Sequence, residues 1–205
     1  MALIFYYAKN SAAYAPHILL EDVGAEYRAI KIDFAIGEQR TAPYLKINPK
    51  GRVPSLITDQ GILTETPAVL AYIAQTHLAH AMVPETAFEF AVAQAFNCYI
   101  ASTVHVAHAH KHRGARWADD ASAHEHMRAK VHQNMTDCAT VIETHYLQGP
   151  WVLGNNYSMC DPYLALVTRW LSDDGVDVAQ FPKIASHDQA MRERASMQTI
   201  LRLHA

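Results

Sequence analysis

The chain lacks most of what would mark a secreted, membrane-spanning or nucleic-acid-binding protein. Its 205 residues contain only three cysteines, an odd and isolated set that predicts reduced core thiols in a cytoplasmic protein. No apolar run approaches the length of a membrane span, and the first residues are predicted to form a strand rather than a signal peptide. The formal net charge is only −3, which gives no electrostatic reason to expect nucleic acid or an anionic membrane as a partner.

Internal repeats and low-complexity tracts are also missing, and the pattern that remains predicts two domains. The strand and helix signals follow the order βαβ and then ββα up to residue 76, and beyond residue 87 only helical patterns continue. The predicted strands are 2–7, 29–34, 52–58 and 62–64, and the predicted helices are 13–24, 67–76, 88–111, 121–146, 161–171 and 184–202. The fold class is therefore α/β plus all-α, with domains at 1–80 and 88–205 and a linker near 80–87.

The most informative bond is Val53–Pro54, in the segment 48–56 that reads NPKGRVPSL. An X–Pro bond costs only about 0.5–1 kcal/mol to hold in the cis form. A cis turn here would leave the N–H and C=O of Val53 facing outward, where they could pair with an extended peptide. We therefore predict a peptide-binding edge at Val53 and Pro54.

A second predicted binding feature follows directly at Glu65, Thr66 and Pro67. Thr66 suits the N-cap of a helix and Pro67 suits its first position. A helix N-terminus of this kind binds carboxylates, and Glu65 beside it can hold an ammonium group. A peptide edge, a carboxylate site and an ammonium site together describe a receptor for a γ-glutamyl tripeptide.

These segments, together with APHI at 15–18 and LGNNYSMCDPYL at 153–164, resemble the glutathione S-transferases of bacteria over nearly the whole chain. The resemblance implies a thioredoxin-like N-terminal domain followed by a C-terminal helical bundle, with 158–161 as a capping motif. It also implies a homodimer that uses glutathione as co-substrate, with no metal. The implied reaction conjugates glutathione to a small hydrophobic electrophile, or reductively removes a group from it. The alternative is a non-catalytic member of the fold that binds glutathione or another protein.

The resemblance leaves open which residue activates the glutathione thiol. Beta-class transferases carry a cysteine where this chain has Ala12, so neither a mixed disulfide nor CxxC redox chemistry is available in this loop. Ser11 stands where serine-type transferases carry their hydroxyl, and Tyr7 matches tyrosine-type enzymes at the end of the first strand. Ser11 could instead only cap the helix, and Tyr7 could be a core residue. The third candidate is His105. It lies in a stretch that resembles the one in beta-class enzymes whose histidine reaches the sulfur.

A histidine-rich run from 105 to 113 surrounds that third candidate. His105, His108 and His112 are predicted to share a helical face, a spacing that can ligate metal. No carboxylate or cysteine completes such a site, so we predict a polar face without metal. The neighbouring basic residues favour polar or anionic electrophiles.

Aromatic residues between 88 and 99 exceed what one helix face needs for its own core. They are Phe88, Phe90, Phe96 and Tyr99. Since the resemblance implies a two-fold dimer, this segment is the predicted dimer surface on the helical side.

Overall fold

The computed structural model describes residues 3–77 and 82–204, which form two compact units. The first contains the described residues of Met1–Pro84 and Met191–Ala205, and the second is Glu85–Ala190. The described residues from 191 onward belong to the first unit, whereas the sequence analysis assigned them to the helical domain 88–205. Residues 80 and 81 of the expected linker lie outside the described residues, and the domain ranges stay a prediction.

The first unit contains one four-stranded sheet in the order β2-β1-β3-β4. Strand β1 pairs in parallel with β2 and antiparallel with β3, which pairs antiparallel with β4. The strands are β1 (Leu3–Tyr7), β2 (Tyr27–Lys31), β3 (Ser55–Ile57) and β4 (Ile62–Thr64), and the helices are α1 (Tyr14–Asp22), α2 (Ala42–Leu45) and α3 (Thr66–Thr76). The predicted βαβ–ββα order is confirmed, while α2 was not predicted.

Local sequence explains the first of these elements. Aromatic and β-branched residues favour the strand β1, and its side chains at Phe5 and Tyr7 are buried. Helix α1 ends because Gly24 adopts a φ of 61°, and its N–H donates to the C=O of Glu21 at 3.1 Å. Glycine tolerates this left-handed backbone without a Cβ penalty.

The remaining elements are helical. They are α4 (Ala87–Tyr99), a π-helical turn (Ile100–Val104), α5 (His105–Ala109), α6 (Ala121–Val141), a second π-helical turn (Ile142–Tyr146), α7 (Asp161–Asp173), α8 (Pro182–Glu193) and α9 (Ala195–Leu203), with short 3₁₀ turns at Gly114–Arg116 and Val178–Gln180. The single helix predicted at 184–202 is two helices, since Arg194 is extended with φ −73° and ψ 137°. None of the helices in 3–77 and 82–204 is long and apolar enough to cross a membrane.

Hydrogen bonds to α1 explain why α9 belongs to the first unit. The Oδ1 of Asp22, at the end of α1, accepts from Arg194 Nη2 at 2.8 Å and from Ser196 Oγ at 2.7 Å. Further along, the rings of His17 and His204 are hydrogen-bonded at 3.0 Å. An acidic residue at a helix C-terminus is unfavourable beside the partial negative charge there, and the guanidinium of Arg194 offsets that cost.

The capping motif at the start of α7 is present in a modified form. Asp161 Oδ2 accepts from the N–H of Ser158 at 2.7 Å and from its hydroxyl at 3.0 Å. The reciprocal bond to Ser158 Oγ comes from the N–H of Cys160 at 3.3 Å rather than from that of Asp161. The short side chain of Asp161 also accepts from the N–H of Val152 at 2.8 Å, so it ties the preceding loop to the helix.

The cysteines are free thiols, and two of the three are in the predicted environment. Cys138 and Cys160 are buried, but Cys98 is exposed. The prediction of a core position is therefore wrong for Cys98, which lies on the outward face of α4.

Candidate functional site

The loop that precedes β3 is held by side chains of its own unit. The hydroxyl of Tyr44 and the Nδ2 of Asn48 both donate to the C=O of Arg52, each at 2.7 Å. Both side chains are buried. These two bonds hold the carbonyl of Arg52 in place, so the backbone conformation just before the next residue is fixed.

That next residue begins the Val53–Pro54 bond, which is cis as predicted. Val53 is buried, yet neither its N–H nor its C=O bonds to another described residue. Buried backbone groups of this kind normally find a partner, and an extended peptide alongside Val53 could satisfy both. The geometry suits the predicted peptide edge.

The start of α3 lies at the other end of the β3–β4 hairpin. Glu65 occupies the N-cap with a φ of 74°, whereas the sequence placed the cap at Thr66. A non-glycine residue with a positive φ costs on the order of 1–3 kcal/mol and is common at ligand sites. No side chain caps the helix, so the N–H groups of its first turn remain available to an anion.

A residue that the sequence reasoning missed, Lys50, reaches this point. Its ammonium donates to Thr64 Oγ1 at 2.7 Å and forms an ion pair with the carboxylate of Glu65. The hairpin register could have revealed it. Because Ser55 pairs with Thr64, the residues that precede β3 lie opposite those that follow β4.

The loop between β1 and α1 joins the same region through Thr66. The hydroxyl of Thr66 donates to the C=O of Ala12 at 3.5 Å. This contact connects the N-terminus of α3 to the loop that carries Ser11. Glu65, Thr66 and Ser11 are therefore elements of one region of the first unit.

Ser11 itself is largely buried, and its hydroxyl is engaged locally. It donates to the C=O of Ala8 at 2.7 Å and accepts from the N–H of Ala13 at 3.3 Å. Ala13, not Ser11, occupies the N-cap of α1. The backbone N–H groups of Ser11 and Ala12 donate to no other described residue, which leaves them available to an anion near the helix N-terminus.

Comparison with known proteins fits this geometry. The family model "Glutathione S-transferase, N-terminal domain" matches residues 1–75. A solved structure of a glutathione transferase homolog from Sulfitobacter, with bound glutathione, is 42% identical over 98% of each chain, with a TM-score of 0.95. The chain belongs to the glutathione S-transferase family.

Two curated proteins extend the comparison across nearly the whole chain. A glutathione S-transferase from Xanthomonas campestris is 27% identical over 96% of both chains. A maleylacetoacetate isomerase from Dictyostelium discoideum is 24% identical over 91% of this chain and 87% of its own. The similarity thus includes the helical part as well as the thioredoxin-like part, and the predicted fold class is confirmed.

In this glutathione S-transferase fold, Tyr7 lies in a buried cluster of rings. Its ring centroid is 4.8 Å from that of His17 and 5.0 Å from that of His204. Phe5 stacks parallel to it on the same face of the sheet. This packing supports the interpretation of Tyr7 as a core residue, and its role as thiol activator stays a prediction.

The third candidate activator, His105, belongs to the second unit. Its ring lies 4.8 Å from that of Trp170, and His108 stacks on the same indole at 4.7 Å. The other predicted site residues all lie in the first unit: Tyr7, Ser11, Val53, Pro54, Glu65 and Thr66. The role of His105 also stays a prediction.

The histidine-rich run does not form the helical face that its spacing predicted. Helix α5 ends at Ala109, so His112 lies beyond it. His108 Nδ1 lies 2.7 Å from Asp174 Oδ2, and Lys111 Nζ lies 3.1 Å from the other oxygen of this buried carboxylate. Over residues 3–77 and 82–204, no three His, Cys, Asp or Glu side chains are grouped to hold a metal ion.

Proposed function

We propose that this chain is a glutathione transferase that conjugates glutathione to small hydrophobic electrophiles, or reductively removes a group from them. One observation carries the proposal. Within a single unit, the unbonded backbone of Val53, the uncapped N-terminus of α3 with Glu65, and the Ser11 loop are all present. The Thr66–Ala12 contact joins the last two. The Sulfitobacter relative with this fold has glutathione bound.

The cysteinyl and γ-glutamyl parts of glutathione each have a matching group. The N–H and C=O of Val53, ahead of Pro54, pair with the cysteinyl backbone. Glu65 holds the α-ammonium of the γ-glutamyl end, while Thr66 and the first turn of α3 hold its carboxylate. Glutathione acts as a co-substrate, and the electrophile is the second small-molecule partner.

The chemistry requires a thiolate, because a thiol with a pKa near 8.5 is mostly protonated at neutral pH. The hydroxyl of Ser11 and the N–H groups of Ser11 and Ala12 stabilise the sulfur anion beside the positive end of α1. The thiolate then attacks an electrophilic carbon. The S–C bond forms as the bond to the leaving group breaks, and the leaving group departs with the bonding electrons.

Glutathione resin and an aryl halide assay together test this function. Retention on the resin with formation of the aryl conjugate supports a transferase. Retention without turnover supports the alternative, a non-catalytic glutathione-binding or protein-interaction member of the fold. A folded protein that shows neither retention nor calorimetric heat with glutathione would contradict the proposal.

Glu65→Gln is expected to weaken glutathione binding about fivefold. The substitution keeps the size of the side chain but replaces a charge-assisted hydrogen bond to the ammonium by a neutral one. The side chain is 59% exposed, so solvent reduces the effect. Calorimetry at constant ionic strength measures it, and an unchanged dissociation constant would exclude Glu65 from the site.

We also propose that the protein is a homodimer, with one face of α4 in the interface. This face carries exposed apolar residues at helical spacing, namely Phe88, Ala91, Val92 and Ala95. Phe88 is 78% exposed, which is unusual for a large aromatic outside an interface. Phe96, which the sequence included in this surface, is fully buried and belongs to the core.

Sedimentation is expected to show a dimer at micromolar concentration and a monomer for the double variant Phe88→Asp, Val92→Asp. Two carboxylates on this face cannot be buried against a second copy without a large desolvation cost. Ile36→Asp, an equally exposed isoleucine in the first unit, is the matched control and should remain dimeric. A monomeric wild-type protein would contradict the assembly.

The proposed location is the cytoplasm, where the protein would remove reactive electrophiles. Three free thiols support a reducing compartment. The formal net charge of −3 supports small molecules rather than nucleic acid or an anionic membrane as partners.

A further inference from the structure

The ammonium of Lys50 is paired with the carboxylate that the proposed function assigns to the ligand's ammonium. It is hydrogen-bonded to Thr64 Oγ1 at 2.7 Å and paired with the carboxylate of Glu65. Both side chains are partly exposed, at 41% for Lys50 and 59% for Glu65. An incoming ligand can therefore reach the pair from solvent.

The backbone under Lys50 is held in a tight turn. Its N–H donates to Asn48 Oδ1 at 3.1 Å, and the N–H of Gly51 donates to the C=O of Asn48 at 2.9 Å. Gly51 has a φ of 60°, and a Cβ there would lie 3.0 Å from the carbonyl oxygen of Gln39. The backbone of this turn is thus fixed, and the flexible side chain of Lys50 can move away from Glu65 without it.

We propose that Lys50 is an internal competitor for Glu65, which any ligand with an α-ammonium must displace. The inference rests on the proposed function, because it takes Glu65 as the group that holds this ammonium. Two cations on one partly exposed carboxylate repel each other at short range. Binding of the γ-glutamyl ammonium therefore exchanges one ion pair for another instead of adding one.

This exchange weakens the binding of glutathione and of its conjugates alike, since the γ-glutamyl end is unchanged by reaction at sulfur. Exposed ion pairs contribute little, so the competition corresponds to about a two- to fivefold change in dissociation constant. The same competition helps a conjugate to leave, because Lys50 returns to Glu65 when the product departs.

Lys50→Met tests the inference with two ligands. One is glutathione, and the other is its analogue with a glutaryl group in place of the γ-glutamyl group, which lacks only the ammonium. Calorimetry is expected to show two- to fivefold tighter binding of glutathione by the variant and no tightening for the analogue. The gain should vanish in a Glu65→Gln background, where the competition no longer involves a carboxylate.

Lys46→Met is the matched control. Lys46 is an exposed lysine in the same segment with no ion pair among the described residues, so its removal reports the general effect of one lost positive charge. A Lys50→Met variant that binds glutathione no more tightly than Lys46→Met would overturn the inference. Equal weakening of both ligands would also overturn it, since Lys50 would then hold a ligand carboxylate. A folded wild type that binds no glutathione would contradict the proposed function as well.

Discussion

Replacing Ser11 by alanine is expected to lower turnover at least tenfold while glutathione affinity changes little. The hydroxyl of Ser11 now donates to the C=O of Ala8 at 2.7 Å, and rotation about one bond allows it to donate to a thiolate instead. A hydrogen bond to an anion and the dipole of α1 each contribute on the order of 1 kcal/mol, and 1.36 kcal/mol corresponds to one pKa unit. Together they lower the thiol pKa by about one to two units. The absorbance of bound glutathione thiolate, followed with pH, measures this shift.

The same titration separates the three candidate activators. Ser11→Thr keeps a hydroxyl and should retain most of the turnover. Ser186→Ala removes an exposed serine hydroxyl that also donates to a backbone carbonyl, at 2.8 Å from Pro182 O, and should change nothing. If the Ser11→Ala titration overlays that of the wild type while Tyr7→Phe raises the thiol pKa, tyrosine is the activator. If only His105→Ala raises the thiol pKa, the activating group comes from the helical unit.

The loops of the candidate site could be predicted because their determinants are local. Val53–Pro54 is a dipeptide with a restricted choice of conformations, and the β3–β4 hairpin follows from a turn signal between two short apolar runs. The start of α3 was predicted within one residue from Thr66 and Pro67. Its N-cap, Glu65, was not, because nothing in a glutamate side chain indicates a positive φ.

Features that depend on distant residues could not be predicted. The assignment of α9 to the first unit depends on Arg194 and Ser196 meeting Asp22, and no local pattern connects them. The aromatic composition of residues 88–99 predicts Phe96 at the surface, because composition counts aromatics without giving their direction, whereas the structure places Phe88 outward and Phe96 inward. The Lys50–Glu65 pair is different, because it follows from the register of the β3–β4 hairpin, and the turn signal could have predicted that register.

A buried pair of histidines gives the first unit a specific dependence on pH. His17 is fully buried, and its Nδ1 lies 3.0 Å from Nε2 of His204. The other rings that face it are those of Phe5, Tyr7 and Tyr27. No carboxylate among the described residues contacts His17 to favour its protonated form. Burial, with a smaller contribution from His204, lowers the pKa of His17 from 6.5 to about 3.

The free energy of unfolding is therefore expected to fall by about 2 kcal/mol between pH 6.5 and about pH 4.5 through His17 alone. In the folded protein His17 stays neutral down to its pKa of about 3, whereas in the unfolded chain it takes up a proton below 6.5. The unfolded state thus binds more protons, and stability falls as pH is lowered, by about 1.4 kcal/mol per unit once well below 6.5. Urea unfolding at a series of pH values measures this slope.

His17→Asn should make that slope shallower, because asparagine keeps a polar atom near the position of Nδ1 but does not titrate. Only the slope is compared, since the substitution also removes ring packing against Tyr7. His126→Asn, at an exposed histidine on α6, is the matched control and should keep the wild-type slope. A His17→Asn slope parallel to that of the wild type would mean that His17 takes up its proton in the folded protein as readily as in the unfolded chain, which would contradict the prediction.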